Sequence, residues 1–273
     1  MYIQLDNFGH NSSIKSMYYE GVYNRMERIH QFPEIVLVMD GEIEITVDGK
    51  SKIARAGDAA VITPFRIHSF KTPRYVNLWI GVISSDFADD FISGENVYNS
   101  GEDAVFTPTK SLFDYLSEHL PPKYDNQTVI EGDAVTYRRV KALVYSAFEE
   151  YTRLVPQKQK QLKGDALSST LLYMSNHFSE NISLTSVAEA LGYTPTYISH
   201  CISVIPGMNF RKLLNSLRVD RAKIHVLKGN LRMIDVALEC GFSGERSFNR
   251  AFLDVTGVTP TEYRRAKKKI SEN

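Results

Sequence analysis

Two sets of residues in this 273-residue chain have types and spacings suited to chemistry. Near the C-terminus, Arg246, Asn249 and Arg250 recur at helical spacing, and their donor forks match guanine and adenine edges in a DNA major groove. Thr196, Ser199 and His200 recur in the same way fifty residues earlier. Towards the N-terminus, His30, Phe32, Glu34 and His68 bring two imidazoles and a carboxylate into a region of expected strands. Those groups suit hydrogen bonding to a small ligand or coordination of a metal. No Ser/His/Asp constellation, phosphate-cradling glycine loop or carboxylate pair accompanies them, so no catalytic residue and no enzymatic activity is expected.

The C-terminal set must be carried by helices. Leu184 to Tyr193 and Ile234 to Phe242 repeat one pattern, with an alanine (Ala188, Ala237) four positions before a glycine (Gly192, Gly241). The small side chain lets two helices cross closely, and glycine accepts the positive φ of the turn between them. An aromatic follows each turn (Tyr193, Phe242), then a hydroxyl placed to cap the next helix (Thr194, Ser243). Pro195 fits the first turn of the helix that follows, and Pro206-Gly207 stops it. Ile198, Cys201, Ile202 and Ile205 then face inward, as do Phe248, Ala251, Phe252 and Val255 in the second copy. Between the copies, Asn209 to Lys228 reads as one helix of roughly 30 Å, close to the roughly 34 Å between successive major-groove faces.

These residues resemble the AraC/XylS family of transcription regulators. The likeness rests on Leu217-Arg218, Ala222 and Val226-Leu227, on Val236-Ala237 with Gly241-Phe242-Ser243, on Ser247-Phe248 with Arg250 and Phe252, and on Gly257-Val258-Thr259-Pro260 with Tyr263-Arg264. It covers residues 165 to 268 and implies an all-α bihelical DNA-binding domain of seven helices with two helix-turn-helix motifs. The implied base contacts are Thr196, Ser199 and His200 in the first reader and Arg246, Asn249 and Arg250 in the second. His200 departs from the basic residue common there. Thr194, Arg218, Ser243 and Lys268 are expected at phosphates. Double-stranded DNA is the partner this implies, and RNA polymerase a further one.

The front of the chain reads as β structure. Glu42 to Val47 alternates strictly, Asp48-Gly49 supplies a hairpin turn, and Gly57-Asp58 another. Glu34 to Met39, Ala59 to Thr63 and Tyr75 to Ile83 are further strand candidates, and the spacing argues for a small barrel. From about residue 15 to 85 this order resembles the cupin sensor domain that commonly precedes such a DNA-binding domain. The resemblance implies an interior that binds a small-molecule effector, with His30, Phe32, Glu34, His68 and Trp79 as pocket residues. In enzymatic cupins two close histidines, a glutamate and a later histidine hold a metal. Phe32 stands where the second of those histidines would be, so neither a metal nor another cofactor is expected.

The divisions expected are a cupin-like barrel over 1–105, a helical segment over 106–155, a hinge over 156–164 and the DNA-binding domain over 165–273. Thr109 to Leu120 and Val129 to Val155 turn helical. In the longer one Val140, Leu143, Val144, Ala147, Phe148, Tyr151, Leu154 and Val155 form an apolar stripe, which packs on the barrel or, in the reading preferred here, seals a homodimer. Lys+Arg and Asp+Glu both total 32, yet residues 160–273 hold sixteen basic and ten acidic residues. A basic half joined to an acidic half suits phosphate binding at one end. Met1 to Asn7 lacks a secretory leader pattern and the apolar runs of the front half fall short of a membrane span, so a cytoplasmic protein with no membrane partner is expected. Cys201 and Cys240 read as packing residues of a reducing compartment.

The function expected is that of a sequence-specific transcription regulator, an activator responding to a carbohydrate-related small molecule. The alternatives are a metal-dependent cupin enzyme fused to a DNA-binding domain and a constitutive DNA-binding dimer.

Overall fold

The computed structural model describes residues 4–5, 14–83, 104–121, 128–129, 134–155 and 166–271. The chain divides into two compact units, 1–163 and 164–273.

In the first unit ten short strands are described: β1 (Gln4–Leu5), β2 (Ile14–Gly21), β3 (Asn24–Ile29), β4 (Glu34–Val47), β5 (Lys50–Arg55), β6 (Ala59–Ile62), β7 (His68–Lys71), β8 (Val76–Ile83), β9 (Val105–Phe106) and β10 (Thr128–Val129). Two helices join them, α1 (Lys110–Glu118) and α2 (Ala134–Leu154). β4 organises the unit. Its first half pairs with β6 and β8, its second half with β5 and β7. The change of partners falls at Asp40-Gly41, just after the pairing with β8 slips register between Val38 and Asp40. Gly41 has φ 77°, and a side chain there would strike the carbonyl of Tyr75, so the strand can bend and change sheets only at a glycine. Asp48 and Gly49, at φ 46° and 77°, make the tight turn into β5.

Alternation along β4 and β8 sorts the side chains into two cores. Val36, Val38, Ile43, Ile45, Phe70, Leu78 and Ile80 fill the barrel interior. Ile35, Leu37, Trp79 and Ile83 face the other way and pack under α2. Val140, Leu143, Val144, Ala147, Phe148 and Tyr151 of α2 are at most 1% exposed in that second core. The stripe expected as a dimer seam is therefore taken up by the chain's own barrel, except for Leu154, which is 39% exposed. The helix also begins later than expected, since Thr128–Val129 pairs with Lys15 and Ser16 and α2 starts at Ala134. Two residues have too little length to close a helical turn, and the open edge of β2 offers them partners.

The second unit is all-α among its described residues: α3 (Ala166–Asn176), α4 (Leu184–Leu191), α5 (Pro195–Ser203), α6 (Phe210–Lys228), α7 (Met233–Glu239), α8 (Glu245–Thr256) and α9 (Pro260–Ser271). α3, α4 and α5 pack together, α7, α8 and α9 form the second group, and α6 touches α3 on one side and α7, α8 and α9 on the other. The core of the second group is Val219, Ala222, Val226, Val236, Ala237, Phe242, Phe248, Ala251, Phe252 and Tyr263. No described helix is long and apolar enough to cross a membrane. The expected hinge, 156–164, lies outside the described residues, as do residues 1–3 and 6–13. Gln4–Leu5 pairs in parallel with Arg28–Ile29.

Candidate functional site

In the first unit the loop between β3 and β4 carries His30 to Pro33, and His68 opens β7 directly after the β6–β7 connection. Both are fixed by backbone. The His30 carbonyl accepts from the Phe65 amide at 2.8 Å, and the Asp48 turn grips the second loop through Ile67 in both directions, at 2.8 and 3.0 Å, and through an ion pair with Arg66. Phe65 is held at φ 60°, an unusual conformation for a bulky residue, which shapes the loop that delivers His68.

His30, Glu34 and His68 are 3%, 1% and 1% exposed. His30 Nδ1 lies 2.6 Å from the Phe32 carbonyl and His68 Nδ1 lies 2.9 Å from the Arg66 carbonyl. A carbonyl can only accept, so each Nδ1 carries a proton and each Nε2 points elsewhere. Both point at one atom, Glu34 Oε2, at 3.0 and 3.2 Å. Burial alone would raise the Glu34 carboxyl, but hydrogen bonds from His30 and His68 and their charge hold it well below the usual carboxylate range. Glu34 Oε1 is buried without a hydrogen-bond partner. Tyr23 and Phe70 wall the cluster, with ring centroids 5.9 Å apart.

Of the expected pocket residues, His30, Glu34 and His68 thus converge, and the Phe32 side chain joins the barrel core while its carbonyl orients His30. Trp79 does not join them. It follows Leu78, which points inward, so strand alternation sends it to the α2 side, where its Nε1 donates to Ser16 Oγ at 2.8 Å and its ring lies over Gly81.

In the second unit both helix-turn-helix turns have the expected form. Gly192 and Gly241 are left-handed at φ 73° and 78°. Ser183 caps α4 in a capping box with Ser186, and Thr194 caps α5 by accepting from the Tyr197 amide. Ser243 does not cap α8. The second turn is one residue longer, so Gly244 takes the cap position and the Ser243 hydroxyl meets that of Ser247 at 3.2 Å. Thr196, Ser199, His200, Arg246 and Arg250 are exposed on α5 and α8, and Asn249 is half-buried. Tyr197, which the inward–outward sorting passed over, is 49% exposed on α5 beside Tyr193. Lys268 lies on α9 with its side chain outside the described residues.

Arg218, expected at a phosphate, has another task. Its Nε donates to the Phe178 carbonyl at 2.7 Å and an Nη donates to that of Glu180 at 2.9 Å, and the guanidinium sits 5.6 Å from the Phe242 ring centroid. Arg264 repeats the device with the carbonyls of Val226 and Leu231, at 2.8 and 3.2 Å. In each half an arginine on the helix after the reader clamps backbone on the approach to a helix-turn-helix motif. Sequence carried no signal for this, because a clamp and a phosphate contact ask for the same side chain.

Residues 187–266 match the helix-turn-helix domain family and residues 19–76 the cupin domain family. The chain carries a helix-turn-helix domain of the AraC type together with a cupin domain. An HTH-type transcriptional regulator of Staphylococcus aureus, SAR0107, is 31% identical over 244 residues, covering 88% of this chain. This chain spans 32% of that relative's length. The HTH-type regulator YdiP of Escherichia coli is 23% identical over 256 residues, covering 86% of this chain and 79% of the relative. Among solved structures, ToxT from Vibrio cholerae aligns over 93% of this chain with 15% identity and a TM-score of 0.41. The chain is thus similar to HTH-type transcriptional regulators in both its helix-turn-helix domain and its cupin domain.

Proposed function

We propose that this protein is a transcription regulator that senses a small molecule in its barrel and binds specific DNA sites through α5 and α8. The observation that carries the reading is the buried His30–Glu34–His68 cluster: three ionisable side chains in an apolar barrel, with one carboxylate oxygen left unpartnered, in a chain that also holds two exposed helices with the expected reader residues. A barrel that served only as a dimerisation scaffold would be more stable with apolar residues at those positions. Family resemblance supports a carbohydrate-related effector, activation through RNA polymerase, and a homodimer. Such a dimer uses surfaces other than the α2 stripe, which is already covered. Ligand binding acts by favouring one arrangement of the DNA-binding unit over another.

The test uses the full chain and an operator selected from random duplexes. Fluorescence anisotropy measures operator affinity against sugars and sugar phosphates. One compound that shifts affinity saturably by about 5- to 150-fold fits the coupling expected of an effector. Affinity constant across the panel, with an unchanged thermal midpoint, replaces this reading with constitutive DNA binding.

A further inference from the structure

We propose that Tyr197 anchors the first helix-turn-helix motif to the DNA backbone, its phenol hydroxyl donating to a phosphate on one wall of the major groove that α5 enters. The proposal rests on the reading that α5 and α8 meet DNA, and it divides the labour between them. The first motif fixes position on the duplex, while the second carries most of the base reading.

Charge is the starting point. From Ser183 to Ile205 the first motif has no lysine or arginine, whereas Arg246 and Arg250 both lie on α8. A duplex carries a phosphate charge roughly every 1.7 Å of its axis, so a helix lowered into the groove meets phosphates on both walls. Without a lysine or arginine, α5 must hold them through neutral donors, which form hydrogen bonds but release no counterion.

Among the outward side chains of α5, Thr196, Ser199 and Ser203 are short, and the Ser203 hydroxyl already donates to the His200 carbonyl at 2.7 Å. Tyr197 is longer and is 49% exposed. Its place on the helix suits a groove wall and not the groove floor. It lies roughly 60° round the helix from His200 and roughly 100° from Thr196, while Ile198 and Ile202 are buried on the far side of that face. The Tyr197 amide donates to the Thr194 cap at 3.2 Å, and the Tyr193 ring packs against the phenol with centroids 5.3 Å apart. Both contacts restrict the side chain before DNA arrives, which lowers the entropy lost on binding.

The second motif inverts this distribution. Beyond the extra Gly244, α8 aligns with α5 at an offset of fifty residues, so that Arg246, Asn249 and Arg250 stand where the first motif has Thr196, Ser199 and His200. Ser247 stands where it has Tyr197, and the Ser247 hydroxyl donates to the Gly244 carbonyl at 2.8 Å. Long donors therefore occupy the outward face of α8 and the flank of α5.

The full chain and an operator selected from random duplexes test this. Tyr197→Phe keeps the ring that packs on Tyr193 and removes one donor. We expect binding to weaken about 10- to 100-fold. The factor should be the same on the operator and on each of its single-base variants, with the slope of log affinity against log salt unchanged. A scan of single methylphosphonate replacements should find a position that weakens the wild type and is silent in the variant. It should lie about one helical turn, roughly 34 Å, from the base pair whose preference Arg250→Ala relaxes. A loss confined to one base pair would make Tyr197 a base reader, and undiminished affinity would take it out of the interface; either result overturns the proposal. Thermal melting checks that the variant is folded. Should it melt early, the scan on the wild type decides, because the absence of any sensitive phosphate at that distance overturns the anchor as well. A wild-type chain that selects no operator defeats the DNA reading itself, whereas normal binding by Tyr197→Phe beside weakened binding by Arg250→Ala defeats the anchor alone.

Discussion

Gly241 lies so close to Ser179 that a Cβ on the glycine would be 2.6 Å from the Ser179 carbonyl oxygen. Gly192, its counterpart in the first repeat, has nothing within 4 Å of the same position. One turn meets the chain segment that enters the first motif, and the other meets open space. The two glycines share a left-handed conformation and differ only in what surrounds them.

Alanine at the two positions separates conformation from packing. Gly192→Ala should cost roughly 1–2 kcal/mol from the left-handed backbone alone. Gly241→Ala adds a collision with backbone, which cannot swing aside as a side chain can, for a total of about 2–5 kcal/mol. Urea denaturation of the full chain, followed through helix content, measures both. Equal losses would mean that the second turn is as open as the first.

Arg218 should behave as a clamp. Arg218→Lys keeps the charge but cannot span the Phe178 and Glu180 carbonyls with a planar fork, so it should lose about 1–3 kcal/mol of stability. The salt dependence of DNA binding should keep its slope. A slope flatter by about one, with stability intact, would return Arg218 to the phosphate backbone.

Arg250 is exposed on α8, the helix proposed to read base edges. Arg250→Ala should weaken operator binding by about 1–3 kcal/mol and relax preference at one base pair. Binding to a selected operator and its single-base variants shows whether the loss is confined to one position. A uniform loss across all variants identifies a phosphate contact instead.

Phe148 is fully buried in the core under β4 and β8. Phe148→Ala should remove about 3–5 kcal/mol from the first unit, whatever the protein concentration. A destabilisation that vanishes on dilution would put Phe148 in an interface between copies.

Burial pushes the Cys240 thiol up to about 11, with Glu239 adding to the effect. A thiol that holds its proton more tightly when folded stabilises the unit below the ordinary thiol value of about 8.5, and that contribution is lost as pH rises towards 11. Stability of the second unit should therefore fall across this window. Cys240→Ala should flatten that part of the curve, and alkylation at neutral pH should reach Cys240 only through opening of the unit.

The second unit was legible because its signals are local. The Ala188–Gly192 and Ala237–Gly241 spacings, the Thr194 cap and the apolar stripe of α8 each act over one or two helical turns, so sequence alone determined the two motifs and which faces of α5 and α8 are exposed. The Asp48-Gly49 hairpin is local in the same sense. Ser243 failed as a cap because a single extra residue, Gly244, moved the helix start.

Tertiary structure decided what depends on distant partners. Trp79 and Leu78 are equally apolar, and only the pairing of β8 with β4 determines which one enters the barrel. The stripe on α2 reads alike whether it meets its own sheet or a second copy. Arg218 reads alike as a clamp or a phosphate contact until Phe178 and Glu180 are brought beside it. His68 lies thirty-four residues beyond Glu34, and their meeting required the bend at Gly41 and the loop held by Asp48. Sequence could name these three donors, but their lone-pair directions depend on the Phe32 and Arg66 carbonyls. Hydrogen-bond geometry of that kind is a property of the folded backbone and has no signature in residue type.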